Sequence, residues 1–164
     1  MKIAICSDSH NNWEKLESCV NRANQEQCDF LFFAGDLVNP EGLKILEKFN
    51  NTVHFIIGNN ETELNKLKTY SENSKNLKFH LDFFDDKIAE HKIYMTHYPS
   101  KAEIIALNNT HNLVIYGHTH TYKIDKVIDT YLINPGEIQG KRSGESSFII
   151  ATLGNPINFL KVYL

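Results

Sequence analysis

The chain is poor in cross-linking, stiffening and strongly basic residues. Among its 164 residues are three cysteines, four prolines, one tryptophan and two arginines. Cys6, Cys19 and Cys28 are odd in number and lack metal-type spacing, which argues against both a disulfide framework and a thiolate zinc site. Cys6 falls in an apolar run and Cys19 on the apolar face of a predicted helix. All three therefore read as buried reduced thiols, suited to a reducing cytoplasm. With only Arg22 and Arg142 as arginines and a net charge of −3, no basic patch marks stable nucleic-acid binding. A nucleotide substrate stays open, because bound cations would supply positive charge locally. No apolar run approaches the ~20 residues of a membrane-spanning helix. The run from Met1 to Cys6 is too short for a signal peptide, and no small-residue cleavage site follows it. Repeats, low-complexity tracts and linkers are also missing.

What is present is an ordinary globular balance, 41% apolar and 23% charged, at a length that suits one domain over residues 1–164. A chain of this size buries about 70% of its unfolded surface, enough for a substantial core. In the first half, strand-like runs at 2–7, 30–34 and 53–57 alternate with helix-like stretches. The first helix starts near Trp13, capped by Asn11 or Asn12, with Trp13, Leu16, Val20 and Ala23 on one face. A second covers 41–49 with Leu43, Leu46 and Phe49, and a polar third covers 61–70 before a short strand at 77–80. This βαβαβ order predicts parallel strands with right-handed crossovers. In the second half, strands at 82–84, 87–90 and 92–96 are close enough to pair antiparallel, and a helix at 100–108 leads to a buried strand at 113–116. Runs at 121–128, 130–134, 146–152 and 157–163 are strand-like and separated by Gly, Pro or Asp turns. Strands this numerous predict an α/β fold, a four-layer sandwich with two mixed sheets face to face and helices outside.

Seven side chains able to bind metal fall in five short blocks, each shortly after an apolar run. Asp8 and His10 lie in Ser7-Asp8-Ser9-His10. Asp36 follows Gly35, Asn59 follows Gly58 and His97 follows Thr96. His118 and His120 lie in Gly117-His118-Thr119-His120. Singly, such blocks have ordinary explanations, since a strand-end Asp often caps a helix and Gly-Asp and Gly-Asn are common turns. Together and in order, at the strand ends where α/β sheets build their sites, they point to one centre. Four imidazoles, two carboxylates and an amide exceed the needs of one ion, whereas two cations sharing a carboxylate use them all. The donors suit Mn²⁺, Fe, Co²⁺, Ni²⁺ or Zn²⁺ better than Ca²⁺ or Mg²⁺. Cations about 3.5–4 Å apart activate a shared water and clamp phosphoryl oxygens during in-line displacement. Asp36, alone after its strand, is the natural bridge. His54, His80, His91 and His111 fall outside the blocks and read as structural or exposed.

The set Asp8-Ser9-His10, Gly35-Asp36, Gly58-Asn59, Thr96-His97 and Gly117-His118-Thr119-His120 resembles the calcineurin-like metallophosphoesterase superfamily. Asn134-Pro135-Gly136 is similar to its small bacterial and archaeal phosphodiesterases. The resemblance covers essentially the whole chain. It implies the αββα form of the sandwich and a phosphodiesterase of small diesters whose nucleophile is a hydroxide bridging two divalent cations, often Mn²⁺. It implies a first metal held by Asp8, His10, Asp36 and His120, and a second held by Asp36, Asn59, His97 and His118. Asp36, Asn59 and His97 are then the catalytic candidates, and Asn59, Asn60 and Arg142 the candidates for touching substrate.

Two positions depart from the pattern. Asn60, ahead of Glu61, stands where many phosphatases of the superfamily have a histidine that protonates the leaving oxygen. An amide does not titrate usefully, so poor leaving groups should turn over slowly and activated diesters should be preferred. Glu61 reads either as orienting a ligand or as a helix-start carboxylate. Tyr98 stands where the subgroup usually has glycine, and its ring is expected to narrow the pocket. Arg22 reads as solvated on its helix. Arg142, in Gly140-Lys141-Arg142-Ser143-Gly144, reads as a solvated turn residue, with substrate contact the alternative. The same fold also suits a phosphomonoesterase or a non-catalytic, retromer-type protein-binding scaffold. Phe83 and Phe84 read either as a homodimer contact or as core.

Overall fold

The computed structural model describes residues 1–164. The first half of the chain runs β1 (Lys2–Cys6), α1 (Trp13–Gln25), β2 (Phe30–Phe33), α2 (Leu43–Leu46), β3 (Thr52–Phe55), α3 (Leu64–Asn73) and β4 (Leu77–Phe79). The second runs β5 (Phe83–Ile88), β6 (His91–Thr96), α4 (Pro99–Leu107), β7 (Leu113–Ile115), β8 (Lys123–Val127), β9 (Thr130–Asn134), β10 (Ser147–Thr152) and β11 (Asn158–Tyr163). One sheet has the order β11-β10-β1-β2-β3-β4 and the other β5-β6-β7-β9-β8. Both are mixed. β1 to β4 are parallel, as are β6, β7 and β9, and antiparallel strands flank each set.

The layers follow from the two-residue period of strands. β1 is apolar from Ile3 to Cys6 because it is covered there on both faces. Its Ala4 and Cys6 join the cluster against the helices, while Ile3 and Ile5 join the cluster between the sheets. β2 splits the same way, Leu31 and Phe33 against Phe32. α1 buries Leu16, Cys19, Val20 and Ala23, the i, i+3, i+4, i+7 stripe of an amphipathic helix. Its cap is Asn12, whose Oδ1 accepts from Lys15 N at 3.3 Å. On the far side only α4 covers the second sheet, setting Ala102 and Ala106 on Tyr94, Val114, Tyr116 and Leu132. Three apolar interlayers make the four-layer αββα sandwich. Cys6, Cys19 and Cys28 are buried and free.

Three expectations need correction, and one open alternative is divided. The strands expected at 82–84 and 87–90 are one strand, β5, which pairs with β6 from Phe83↔Thr96 to Ile88↔His91. Asp85, Asp86 and Lys87 do not break it, because an edge strand carries charge on its open face. The helix expected at 41–49 is a 3₁₀ turn, Pro40–Gly42, followed by a single α-helical turn. Leu43, Leu46 and Phe49 stay buried. α3 begins at Leu64 rather than at 61, after Glu63 in a left-handed conformation (φ 54°). The two phenylalanines divide: Phe84 is core, whereas Phe83 is 47% exposed. No helix is long and apolar enough to cross a membrane.

Candidate metal centre

The loops after β1, β2 and β3 of one sheet and after β6, β7 and β9 of the other meet at one edge of the sandwich. The chain turns hard on leaving these strands. Asp8, His10, Asp36, His118 and His120 all have positive φ, between 41° and 67°, which non-glycine residues adopt rarely and mostly at functional sites. Backbone bonds tie the turns together: Asp8 N to Gly35 O at 3.0 Å, His10 N to Asp36 O at 3.1 Å, and Gly117 N to His97 O at 3.1 Å. Asn134, at the end of β9, donates from Nδ2 to Gly117 O at 2.8 Å and to Thr119 Oγ1 at 3.0 Å. Two glycines permit the close approach. A Cβ on Gly58 would overlap Asp36 Oδ1, and one on Gly117 would overlap Ser7 Oγ.

All seven expected donors come together. The ligand atoms of Asp8, His10, Asp36 and His120 lie within 4.8 Å of one another. His10 Nε2 is 3.3 Å from Asp36 Oδ2, and His120 Nε2 is 3.4 Å from Asp8 Oδ1. On the other side of Asp36, Oδ2 is 3.5 Å from His97 Nε2. Asn59 Oδ1 is 3.2 Å from that nitrogen and 2.8 Å from His118 Nδ1. The first set is the deeper one, while Asn59 is exposed and His118 half-buried. Asp8 Oδ1 and His10 Nε2 are buried without a hydrogen-bond partner. Orphaned buried polar atoms are costly on their own, and a divalent cation would satisfy the carboxylate oxygen and the imidazole lone pair. The donor chemistry thus fits divalent metal ions.

The surroundings aim the donors. His97 Nδ1 lies 2.8 Å from Ala34 O, which can only accept, so Nδ1 carries a proton, and in the neutral ring the lone pair turns inward at Nε2. Asp36 Oδ1 accepts from Asn59 N at 2.9 Å and Asn60 N at 3.0 Å, and Oδ2 accepts from Asn60 Nδ2 at 2.7 Å. Burial pushes the Asp36 carboxyl up, but the hydrogen bond and charge of His97 and the donors of Asn60 outweigh it and hold it well below the usual range. Burial pulls His97 down and is likewise outweighed by Asp36 and Asp8, so the ring gains basicity. Glu61 is pushed up by burial and then by Asp36's charge. It is not a helix-start residue: it accepts from Leu37 N at 2.9 Å and Gly58 N at 2.6 Å, pinning the Asp36 loop to the Asn59 loop.

One residue in contact with a donor was missed in the sequence. Glu137 is fully buried, and its Oε2 is 2.6 Å from His120 Nδ1. The available signal was a carboxylate directly after Asn134-Pro135-Gly136 at a strand end, the setting that marked Asp36. Tyr98 is 43% exposed, with its ring 5.3 Å from that of His97 and 5.4 Å from that of His118. It walls a hollow of about 270 Å³ with Ile57, Gly58, Asp82, Thr96 and Lys101. The two largest hollows, each about 580 Å³, are lined by none of the donors, so size alone does not locate the site. The side chains of Arg142 and Arg22 are exposed, the latter paired with Glu26 at 2.8 Å. The remaining histidines have structural partners: His54 with His80 at 2.9 Å, His111 with Asp85 at 3.0 Å, and His91 with Gly154 O at 3.0 Å.

The family model of the calcineurin-like phosphoesterase superfamily domain matches residues 1–155. Phosphodiesterase MJ0936 of Methanocaldococcus jannaschii is 32% identical over 146 residues, 88% of each chain. Phosphodiesterase YfcE of Escherichia coli is 23% identical over 158 residues, 88% of this chain and 83% of its own. The solved structure of a novel archaeal phosphodiesterase superposes over the full length of both chains, with a TM-score of 0.92 at 29% identity. Vps29 of Entamoeba histolytica, solved with zinc, superposes over 99% of both chains with a TM-score of 0.71 at 17% identity, a likeness of fold alone. A chain matched by the superfamily model over most of its length, and akin in sequence to phosphodiesterases that span it, belongs to the calcineurin-like phosphoesterase superfamily and is a metal-dependent phosphoesterase.

Proposed function

We propose that this phosphoesterase hydrolyses small phosphodiesters with good leaving groups, using two divalent cations, Mn²⁺ ahead of Ni²⁺, Fe, Zn²⁺ and Co²⁺. The observation that carries this reading is Asp36 Oδ2, one oxygen within 3.3 Å of His10 Nε2 and 3.5 Å of His97 Nε2 and so common to both donor sets. Asp8, His10, Asp36 and His120 would hold one cation, and Asp36, Asn59, His97 and His118 the other. When bound, the pair would supply a nucleophilic water near neutral pH and neutralise phosphoryl oxygens.

The protein's own contribution is placement. Backbone donors of Asn59 and Asn60 fix the Asp36 carboxylate, and Glu61 fixes the loops behind it. The open side lies over Asn59 and His118, where a diester enters and the Asn59 amide meets a phosphoryl oxygen. Asn60 spends its amide on Asp36 and has no proton to deliver, so turnover depends on the acidity of the leaving group. Arg22 is paired with Glu26 and the Arg142 side chain is exposed, so little fixed positive charge offsets the extra charge of a monoester, which favours diesters. MJ0936 and YfcE are named phosphodiesterases, in line with this preference. Arg142, in the loop after β9, remains the basic candidate for touching substrate.

The test compares bis-p-nitrophenyl phosphate with p-nitrophenyl phosphate on one metal-stripped preparation reloaded with Mn²⁺. The diester should turn over faster, and Asp36→Ala or His97→Ala should lower its rate about 10³-fold or more, an interaction lost at the reacting centre. A faster monoester rate points to a monoesterase. No turnover by folded protein with any divalent cation supports a protein-binding scaffold instead.

A further inference from the structure

We infer that Glu137 is a positioning residue of the metal centre: it holds His120 as the Nδ1–H tautomer, with Nε2 left for a cation, and the 140–145 loop is the receptor that holds Glu137. The inference rests on the two-cation reading of the seven donors and assigns a task to a residue outside them.

A fully buried carboxylate is tolerable only when its lone pairs are engaged. Those of Glu137 are engaged on two sides. Oε2 faces His120 Nδ1 at 2.6 Å. Oε1 accepts from Arg142 N at 2.7 Å, Ser143 N at 2.6 Å and Ser143 Oγ at 2.8 Å. Residues 141–145 are otherwise exposed, so this carboxylate is the loop's principal anchor. Gly140 (φ 72°) and Gly144 (φ 80°) bracket the loop and let two successive amides turn inward. The Gly140-Lys141-Arg142-Ser143-Gly144 segment is therefore used through its backbone and the serine hydroxyl.

The chemistry is selective for a carboxylate. A neutral imidazole carries one N–H. If that proton sat on Nε2, His120 would turn a donor toward Asp8 Oδ1, 3.4 Å away, and lose its ligand lone pair. An acceptor at Nδ1 prevents this. The loop side also presents only donors. Glutamine, of the same shape, would set its NH₂ against either His120 or the amides of Arg142 and Ser143. His97 is backed differently, by the neutral carbonyl of Ala34. Loss of the Glu137 charge should therefore weaken the first cation site and spare the second.

Two measurements test this. In Zn²⁺-loaded wild-type protein labelled with ¹⁵N-histidine, long-range ¹H–¹⁵N spectra should show His120 protonated at Nδ1, and a bare Nδ1 overturns the inference. Calorimetric Mn²⁺ titration of metal-stripped Glu137→Gln should show one of two sites weakened about 10–100-fold, the usual effect of losing an outer partner of a ligand histidine. Two sites of wild-type affinity overturn it. So does a uniform loss at both sites, which is what a merely structural role would give. Should Glu137→Gln not fold, the wild-type spectrum decides, with Ser143→Ala, which removes one donor to Oε1, expected to weaken the same single site by less. A wild-type chain that binds no divalent cation sinks the two-cation reading as well, and is told apart from the other outcomes by the wild-type titration alone.

Discussion

Asn60 is the residue whose chemistry most limits this site. Its side-chain amide donates to Asp36 Oδ2 and carries no titratable proton. Asn60→His would restore an acid beside the leaving group while leaving the seven donors intact. We expect cleavage of alkyl diesters to rise about a hundredfold against p-nitrophenyl diesters, the lower end of general-acid effects. The check is a plot of log rate against leaving-group pKa, which should flatten, and a slope equal to wild type counts against the role. At this scale the donors were legible because each lies in a short polar block after an apolar run. Glu137 was not read, because its one local mark, a carboxylate just after a strand end, does not by itself show that its partner is His120, 17 residues away. Glu61 was half legible: its two tasks differ only in which backbone amides it meets.

The elements were legible wherever an apolar period ran unopposed. β1, β2 and α1 are such cases, with an unbroken apolar run or a clean helical stripe. The misread boundaries lie where tertiary contacts override local pattern. Glu61 is drawn back to Gly58 and Leu37, which delays α3, and the charged centre of β5 is an exposed edge. The turns between elements and donors leave little room. A Cβ on Gly117 would meet Ser7 Oγ, Asp8 Oδ2 and Ala34 O, all buried. Gly117→Ala should therefore cost about 1–3 kcal/mol, the range for overpacking. It should also displace Asp8, whose Oδ2 accepts from His118 N at 3.1 Å. Urea denaturation and Mn²⁺ titration of the variant check both; a wild-type midpoint with wild-type binding rejects the packing account.

For the molecule as a whole, pH acts through histidines packed where the sheets meet. His54 on β3 stacks on Phe32 and tilts against Phe84 of the second sheet, with its ring bonded to His80. Burial, then the neighbouring His80, pulls His54 from the ordinary 6.5 to about 4. His80 moves the same way, chiefly through burial. The unfolded chain thus binds protons that the folded chain refuses, so stability falls as pH drops through about 6.5 and the loss levels off near 4. Metal-free His54→Phe, followed by urea unfolding between pH 7.5 and 4, should lose less stability over that window than metal-free wild type. Parallel curves reject the assignment.

The donors come from loops of both sheets, so an ion seated among them would act as a rivet through the sandwich. Unfolding would have to expel it, and mass action would then add about 2.7 kcal/mol at a hundredfold excess over Kd. Differential scanning calorimetry with Mn²⁺ and with a chelator should show a melting temperature that climbs with free ion. A melting point indifferent to the ion would mean that the rivet does not join the sheets. Activity and heat resistance would then fail together under metal starvation, and one scarce nutrient would govern both how fast this protein works and how long it lasts.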